Sequence, residues 1–288
     1  MRALTLATAP EDDGSESAVV LDQEGRFVRA AELAEPVAGD VLDLLSVLTP
    51  LELERRVSAT PEERFAPLGE RALLAPYRHP RKIWGIGLNY RDHADDLGAA
   101  YPDEPASFIK GDHTIIGPGD PIQLPVQSHR VTAEAELGLV IGRYCRNVDL
   151  EDALDYVWGV CPVLDQTAED ILQRNPRYLT RSKNFPGFFS FGPAITPLPV
   201  VLEGFGSLDA LEVATVKNGE IHRTNTTANM IFAPALLVSF HSQVMPLFPG
   251  DIISSGTPGA VVIAAGDVAE CRIPGVGTLA NPVVGAGG

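Results

Sequence analysis

The spacing of apolar positions divides the chain into two textures. In residues 18–29 (AVVLDQEGRFVR) two short apolar runs flank a Glu24-Gly25 turn, which predicts a hairpin, and residues 40–59 read as helical with a restart at Thr49-Pro50. This makes a small α/β unit over residues 1–75, and Pro61, Pro67, Pro76 and Pro80 punctuate the passage out of it. From Lys82 onward short apolar runs alternate with Gly, Pro and Asp, the pattern of a β-rich main domain over residues 76–288. Its predicted helices are few: residues 90–97, the turn after Leu150, residues 167–173 and residues 233–243. Three segments, GPGDPIQLP at 117–125, FPGDIISSGTP at 248–258 and AGDVAECRIP at 265–274, place Gly-Asp before an incoming strand. Turn chemistry accounts for that, and the recurrence hints at a rolled sheet.

In VTAEAELGLVIG the alternation puts Val131, Ala133, Ala135, Leu137, Leu139 and Ile141 on one face of a strand and Thr132, Glu134, Glu136 and Gly138 on the other. Same-face neighbours lie about 6.6 Å apart, so both glutamates reach one cation. The bland alternative is a solvated strand face. A third carboxylate, Asp165, ends the apolar run YVWGVCPVL, where a buried strand is expected to meet a turn and a helix start. Three carboxylates without His or Cys form a hard oxygen site suited to Mg²⁺, Mn²⁺ or Ca²⁺ and not to zinc. Replacing Glu136 or Asp165 by its amide is expected to abolish activity and leave the fold intact.

KIWGIGLNYRDHADDLG begins as a strand, but Tyr90 stands where a dinucleotide fingerprint needs its third glycine, so that reading is rejected. Asn89 is expected to cap a short helix that Gly98 ends, with His93 and Asp96 on one face. A carboxylate so placed orients an imidazole. The alternative is a surface helix with an incidental histidine.

Composition narrows the partners. There are 22 Lys and Arg against 38 Asp and Glu, a formal charge of −16, which repels nucleic acid and anionic membranes. An anionic substrate therefore needs a local cluster of cations, which draws attention to Lys110 and Lys183. Cys145, Cys161 and Cys271 are scattered and odd in number, which argues against a disulfide framework and for a reducing cytoplasm. The first residues lack a basic-then-apolar leader, and residues 230–248 are too interrupted to span a bilayer.

The segments GLNYRDHADDLG, FIKGDHTIIGPGD, AEAELGLVIG, LDQTAED, KNF with FGP, NTTANMIF and PGDIISSGTPG, in that order, resemble the successive motifs of the fumarylacetoacetate hydrolase family over about residues 80–283. The resemblance implies an α+β, β-rich fold built on a rolled mixed β-sheet, a homodimer, and Mg²⁺ held by Glu134, Glu136 and Asp165. It implies His93 as catalytic base, Asp96 in the place of its usual glutamate partner, and Lys183 as an active-site cation. Gly256 and Thr257 match the loop near the substrate, and Lys110 matches the family's F-x-K. Thr132 with Ala133, Glu169, Pro186 with Gly187, and Asp96 depart from the family pattern. The implied substrate is a small anionic oxo acid. The implied reaction is Mg²⁺-dependent hydrolysis of a C–C bond in an acylpyruvate-like β-diketo acid. The alternatives are a 2-oxo dicarboxylate decarboxylase, a 2-hydroxy-dienedioate isomerase, a non-hydrolytic biosynthetic member, or a catalytically silent metal-binding protein.

Overall fold

A computed structural model describes residues 4–34, 39–69, 71–96, 98 and 100–286, the side chain of Asp96 excepted. In chain order they form β1 (Thr5–Pro10), β2 (Glu16–Leu21), β3 (Arg26–Arg29), α1 (Ala30–Leu33), α2 (Val41–Val47), α3 (Pro50–Ser58), β4 (Ala66–Pro67), β5 (Ile83–Gly87), α4 (Arg91–Asp96), β6 (Ala106–Lys110), β7 (Ile115–Ile116), β8 (Ile122–Gln123), β9 (Val131–Ile141) and β10 (Val157–Ala168). There follow α5 (Glu169–Arg174), α6 (Leu179–Lys183), β11 (Phe189–Phe191), β12 (Thr196–Pro197), α7 (Leu198–Phe205), β13 (Glu212–Lys217), β14 (Glu220–Thr226), α8 (Pro234–Val244), β15 (Ile252–Ser254), β16 (Ala260–Ile263), β17 (Val268–Ile273) and β18 (Gly277–Val284).

The first unit is a four-stranded sheet, β1-β2-β3-β4, carrying α1 to α3. The expected hairpin is β2–β3, and β1 adds a strand on its outer side. The two longer helices begin where their caps predict: Asp40 accepts from Leu42 N at 3.0 Å and Thr49 from Glu52 N at 3.3 Å.

The main domain is a curled, mixed nine-stranded sheet with the path β6-β5-β15-β9-β10-β11-β7, joined by β12 on β10 and β16 on β9, and faced by a five-stranded sheet, β14-β13-β17-β18-β8. At its centre β9 and β10 pair antiparallel from Val131↔Ala168 to Val157↔Ile141. All twelve residues of β10 are buried, which is why its sequence reads as a continuous apolar run. The strand does not stop at Asp165 as the run suggested. It continues through Gln166 and Thr167 to Ala168, and α5 starts two residues later than expected. Asp165 and Thr167 tolerate this burial because each finds a charged hydrogen-bond partner.

The two faces of β9 enter different cores. Val131, Ala133, Ala135, Leu137, Leu139 and Ile141 pack with Val213, Cys271, Ile273 and Leu279 of the five-stranded sheet. On the opposite face Val140, with Trp158, Cys161 and Val163 of β10, packs with Leu6, Val20, Leu44 and Leu53 of the first unit. Trp158 Nε1 also donates to the Leu48 carbonyl at 2.8 Å. The sequence boundary near residue 75 is a change of sheet within a shared core.

The three Gly-Asp turns share one geometry. Gly119, Gly250 and Gly266 have φ of 78°, 83° and 95°, and each following aspartate accepts from the backbone N–H three residues back: Asp120 from Gly117, Asp251 from Phe248 and Asp267 from Ala264, at 2.7, 2.8 and 2.8 Å. Among the described residues no helix is long and apolar enough to cross a membrane.

Candidate functional site

The β9–β10 register builds the site in layers on one sheet face. Glu136 lies opposite Val163, Glu134 opposite Asp165, and Thr132 opposite Thr167, while β16 adds Ala260 beside Glu134 and Val262 beside Thr132. The apolar inner end of this face is covered by the first unit, and the carboxylates begin where that cover ends. One carboxylate oxygen from each of Glu134, Glu136 and Asp165 lies within 4.8 Å of the other two.

Each carboxylate is held by named donors. Glu134 takes Thr167 Oγ1 at 2.6 Å and Thr132 Oγ1 at 3.3 Å on one oxygen and Lys183 Nζ at 2.8 Å on the other. Glu136, 1% exposed, takes Ser254 Oγ at 2.6 Å and Gly256 N at 2.8 Å. Asp165, with no exposure, joins Lys110 Nζ at 2.5 Å to Lys183 Nζ at 3.0 Å. Burial, then the negative charge of Asp165, pushes the Glu136 carboxyl up to about 8. Burial also opposes the charged form of Lys183, but Asp165, Glu134 and Glu136 outweigh it and raise its pKa. For Lys110 burial wins over Asp165, and its pKa falls.

Three carboxyl groups share two lysines in a buried place, and the Glu136 carboxyl is accordingly pushed toward its neutral form. The donor set is all oxygen, and ligand oxygens around one octahedral Mg²⁺ sit about 3–4 Å apart, close to the spacing present. The residues fit a hard divalent cation, and the triad is able to hold one. The structure changes one expectation: Asp165 is also the counter-charge of two buried lysines. Asp165→Asn is therefore expected to lower unfolding free energy by about 3–5 kcal/mol, because Lys110 and Lys183 then face each other without it. Urea denaturation of the metal-free protein measures this, and a loss below about 1 kcal/mol would contradict it.

A cavity of about 530 Å³ opens in front of these layers. Glu134, Lys183, Thr132 and Thr167 stand on its wall with His93, Phe108, Arg130, Glu169, His222 and Arg223. The Phe108 ring lies across Gly85, where a Cβ would be 2.3 Å from its Cζ, and Lys183 Nζ sits 5.1 Å from the ring centroid. His93 is half-buried on α4, close enough for its charge to act on Glu134. That helix is pinned by the NTTANMIF segment: Asp92 accepts from Asn225 Nδ2 at 3.0 Å, and Arg91 Nη1 donates to the Met230 carbonyl at 3.2 Å.

Several expected residues take other places. Asn89 does not cap α4: its side chain bonds the Phe232 N–H and the Phe232 and Ser255 carbonyls, a tertiary clip that displaces the local cap. Gly98, with φ of 61°, does end the helix. The Asp96 side chain lies outside the described residues. Lys110, Gly256 and Thr257, expected beside substrate, are buried and not on the cavity wall. Lys110 is committed to Asp165, the Gly256 N–H to Glu136, and the Thr257 hydroxyl to the Gly259 backbone. A side chain at 256 would also meet Asn89 Cβ at 2.8 Å. Sequence reasoning missed Ser254, Arg130, His222 and Arg223. Arg130 was within reach, since it shares the parity of Thr132 and Glu134.

A family model described as "Fumarylacetoacetate (FAA) hydrolase C-terminal" matches residues 82–284, the span that carries every layer of the site. The chain belongs to the fumarylacetoacetate hydrolase family. Its fold agrees: a fumarylacetoacetate hydrolase from Exiguobacterium antarcticum superposes with a TM-score of 0.81 at 27% identity, over 98% of this chain and 99% of that one. A 5-carboxymethyl-2-hydroxymuconate delta-isomerase from Mycobacterium smegmatis gives 0.78 at 30% identity, over 99% and 100%. The mitochondrial oxaloacetate tautomerase fahd2 of Xenopus laevis is 36% identical over 222 residues, 74% of this chain and 68% of the relative. The family is one of enzymes, hydrolases and isomerases among them.

Proposed function

We propose that this family member is a Mg²⁺-dependent hydrolase that cleaves the C–C bond of an acylpyruvate-like β-diketo acid. The observation that carries the reading is the convergence of Glu134, Glu136 and Asp165 beside a cavity walled by Lys183 and His93. Glu134, Glu136 and Asp165 would hold the ion, which when bound supplies a Lewis acid at the 2-oxo group. The apolar wall of Phe108, Leu172, Leu179 and Val262 excludes bulk water from the chain of the substrate. His93 takes a proton from one water, whose oxygen adds to the second carbonyl, and returns the proton to the carbon released as the bond breaks. One carboxylic acid and one pyruvate result from one diketo acid and one water. The Lys183 ammonium, kept protonated by its carboxylates, faces the negative charge that develops on the substrate.

Similarity to an oxaloacetate tautomerase and to an isomerase supports a second reading, in which His93 moves a proton between carbon and oxygen without water. A panel of acetylpyruvate, oxaloacetate and a 2-hydroxy-dienedioate, each with Mg²⁺ and with chelator, tests the choice. Mg²⁺-dependent release of acetate and pyruvate from acetylpyruvate is expected. Tautomerisation or isomerisation alone would move the protein to the second reading, and no turnover of any member would remove both.

A further inference from the structure

The outermost layer of the site face is an ion pair. Arg130 Nε donates to Glu169 Oε2, and the Glu169 N–H donates to the Arg130 carbonyl at 2.9 Å, which continues the β9–β10 ladder one step beyond Val131↔Ala168. Asp170 locks the same corner by accepting from Ser128 Oγ at 2.6 Å and His129 N at 3.1 Å. Both side chains line the cavity. Arg130 lies four residues from Glu134 and Glu169 four from Asp165, about 13 Å along the strands from the carboxylate layer. Between the two layers the wall offers Thr132, Thr167 and Val262, and the cavity is also lined by Leu172 of α5 and Leu179 of α6.

Resting on the proposed oxo-acid reaction, we infer that the Arg130–Glu169 pair reads the far end of the substrate and selects an acyl chain with an uncharged end over one ending in a carboxylate. Glu169 holds the Arg130 guanidinium through Nε, so a terminal carboxylate reaching this layer meets a carboxylate of like charge beside the arginine, whereas an uncharged chain meets a neutral pair and an apolar wall. The other arginine of the cavity stands elsewhere. The stem of Arg223 lies over Gly259, where a Cβ would be 2.5 Å from Arg223 Cγ, and the next residue, Ala260, is paired with Glu134. The stem of that arginine thus lies beside the carboxylate layer and not beside the Arg130–Glu169 pair.

Two acylpyruvates of equal length, one ending in a methyl and one in a carboxylate, test the inference with Mg²⁺-loaded enzyme. The wild type is expected to favour the methyl-ended substrate in kcat/KM by about tenfold or more. Glu169→Gln, which keeps the shape and frees the guanidinium, is expected to shift that ratio about tenfold toward the carboxylate-ended substrate, mainly through KM, and Arg130→Gln to shift it the opposite way. The ratio is internal to each variant, so partial loss of activity or stability does not imitate the effect. A wild-type preference for the carboxylate-ended substrate, or an unchanged ratio in Glu169→Gln, overturns the inference. If the wild type turns over neither substrate, the hydrolase reading fails. Titration calorimetry of the same two compounds onto the Mg²⁺-loaded protein then gives the selectivity as a ratio of Kd, and equal Kd values overturn the inference separately.

Discussion

Glu136→Gln is expected to lose at least about a thousandfold in kcat/KM, and with it the rise in Tm that Mg²⁺ gives the wild type, while the metal-free variant melts no lower than the wild type. The two halves of this result have one cause. Glu136 is buried behind Glu134 as the third carboxyl against only two lysines and is pushed toward its neutral form there, so an isosteric amide costs the metal-free cluster little and removes a ligand from the filled one. At a hundredfold excess of Mg²⁺ over its Kd the wild type should gain about 2.7 kcal/mol, a shift of several degrees. The amide should still accept from Ser254 and Gly256, so the loop carrying them stays in place. Scanning calorimetry with and without Mg²⁺, alongside steady-state kinetics, decides it. A variant that keeps its Mg²⁺-dependent Tm shift would remove Glu136 from the ligand set.

His93→Ala tests the base on which both hydrolysis and proton relocation depend. If the protein is a hydrolase, acetylpyruvate turnover should fall by about 10²–10⁴-fold, because a general base contributes that much and the water is also left unpositioned. Mg²⁺ binding should persist, since α4 is pinned through Arg91 and Asp92 and not through the carboxylates. Near-normal turnover of the best substrate would sink the hydrolase reading and the His93-driven proton relocation alike, and leave a 2-oxo dicarboxylate decarboxylase, which needs mainly the metal, in their place. Measuring Mg²⁺ affinity in the same variant keeps a collapsed centre from being mistaken for a missing base.

Local pattern made part of this site legible. The period of two put Glu134 and Glu136 on one face of β9, and the apolar texture of 156–164 announced a buried strand leading to Asp165. Nothing local announced that Asp165 lies opposite Glu134, because strand register is set by pairings far apart in sequence. The same distance hid the joint hold of Lys110 and Lys183 on one carboxylate, so Lys110 looked like a substrate contact. Asn89 was misread for a related reason: as a cap it would satisfy one local N–H, whereas Phe232 and Ser255 together offer three partners. Helices as short as α6 leave too few periods to stand out from loops.

The shared core beneath the site bears on how a minimal catalytic fragment is designed. A fragment cut near residue 75 would strip the cover from Val140, Trp158, Cys161 and Val163, which lie on the same sheet face as Glu136 and Asp165. Any segment put in its place would have to shield that underside, and exchanging one such segment for another changes the footing of the carboxylates without altering a residue that touches them. The leading region is thus a place where grafting can adjust the centre from behind.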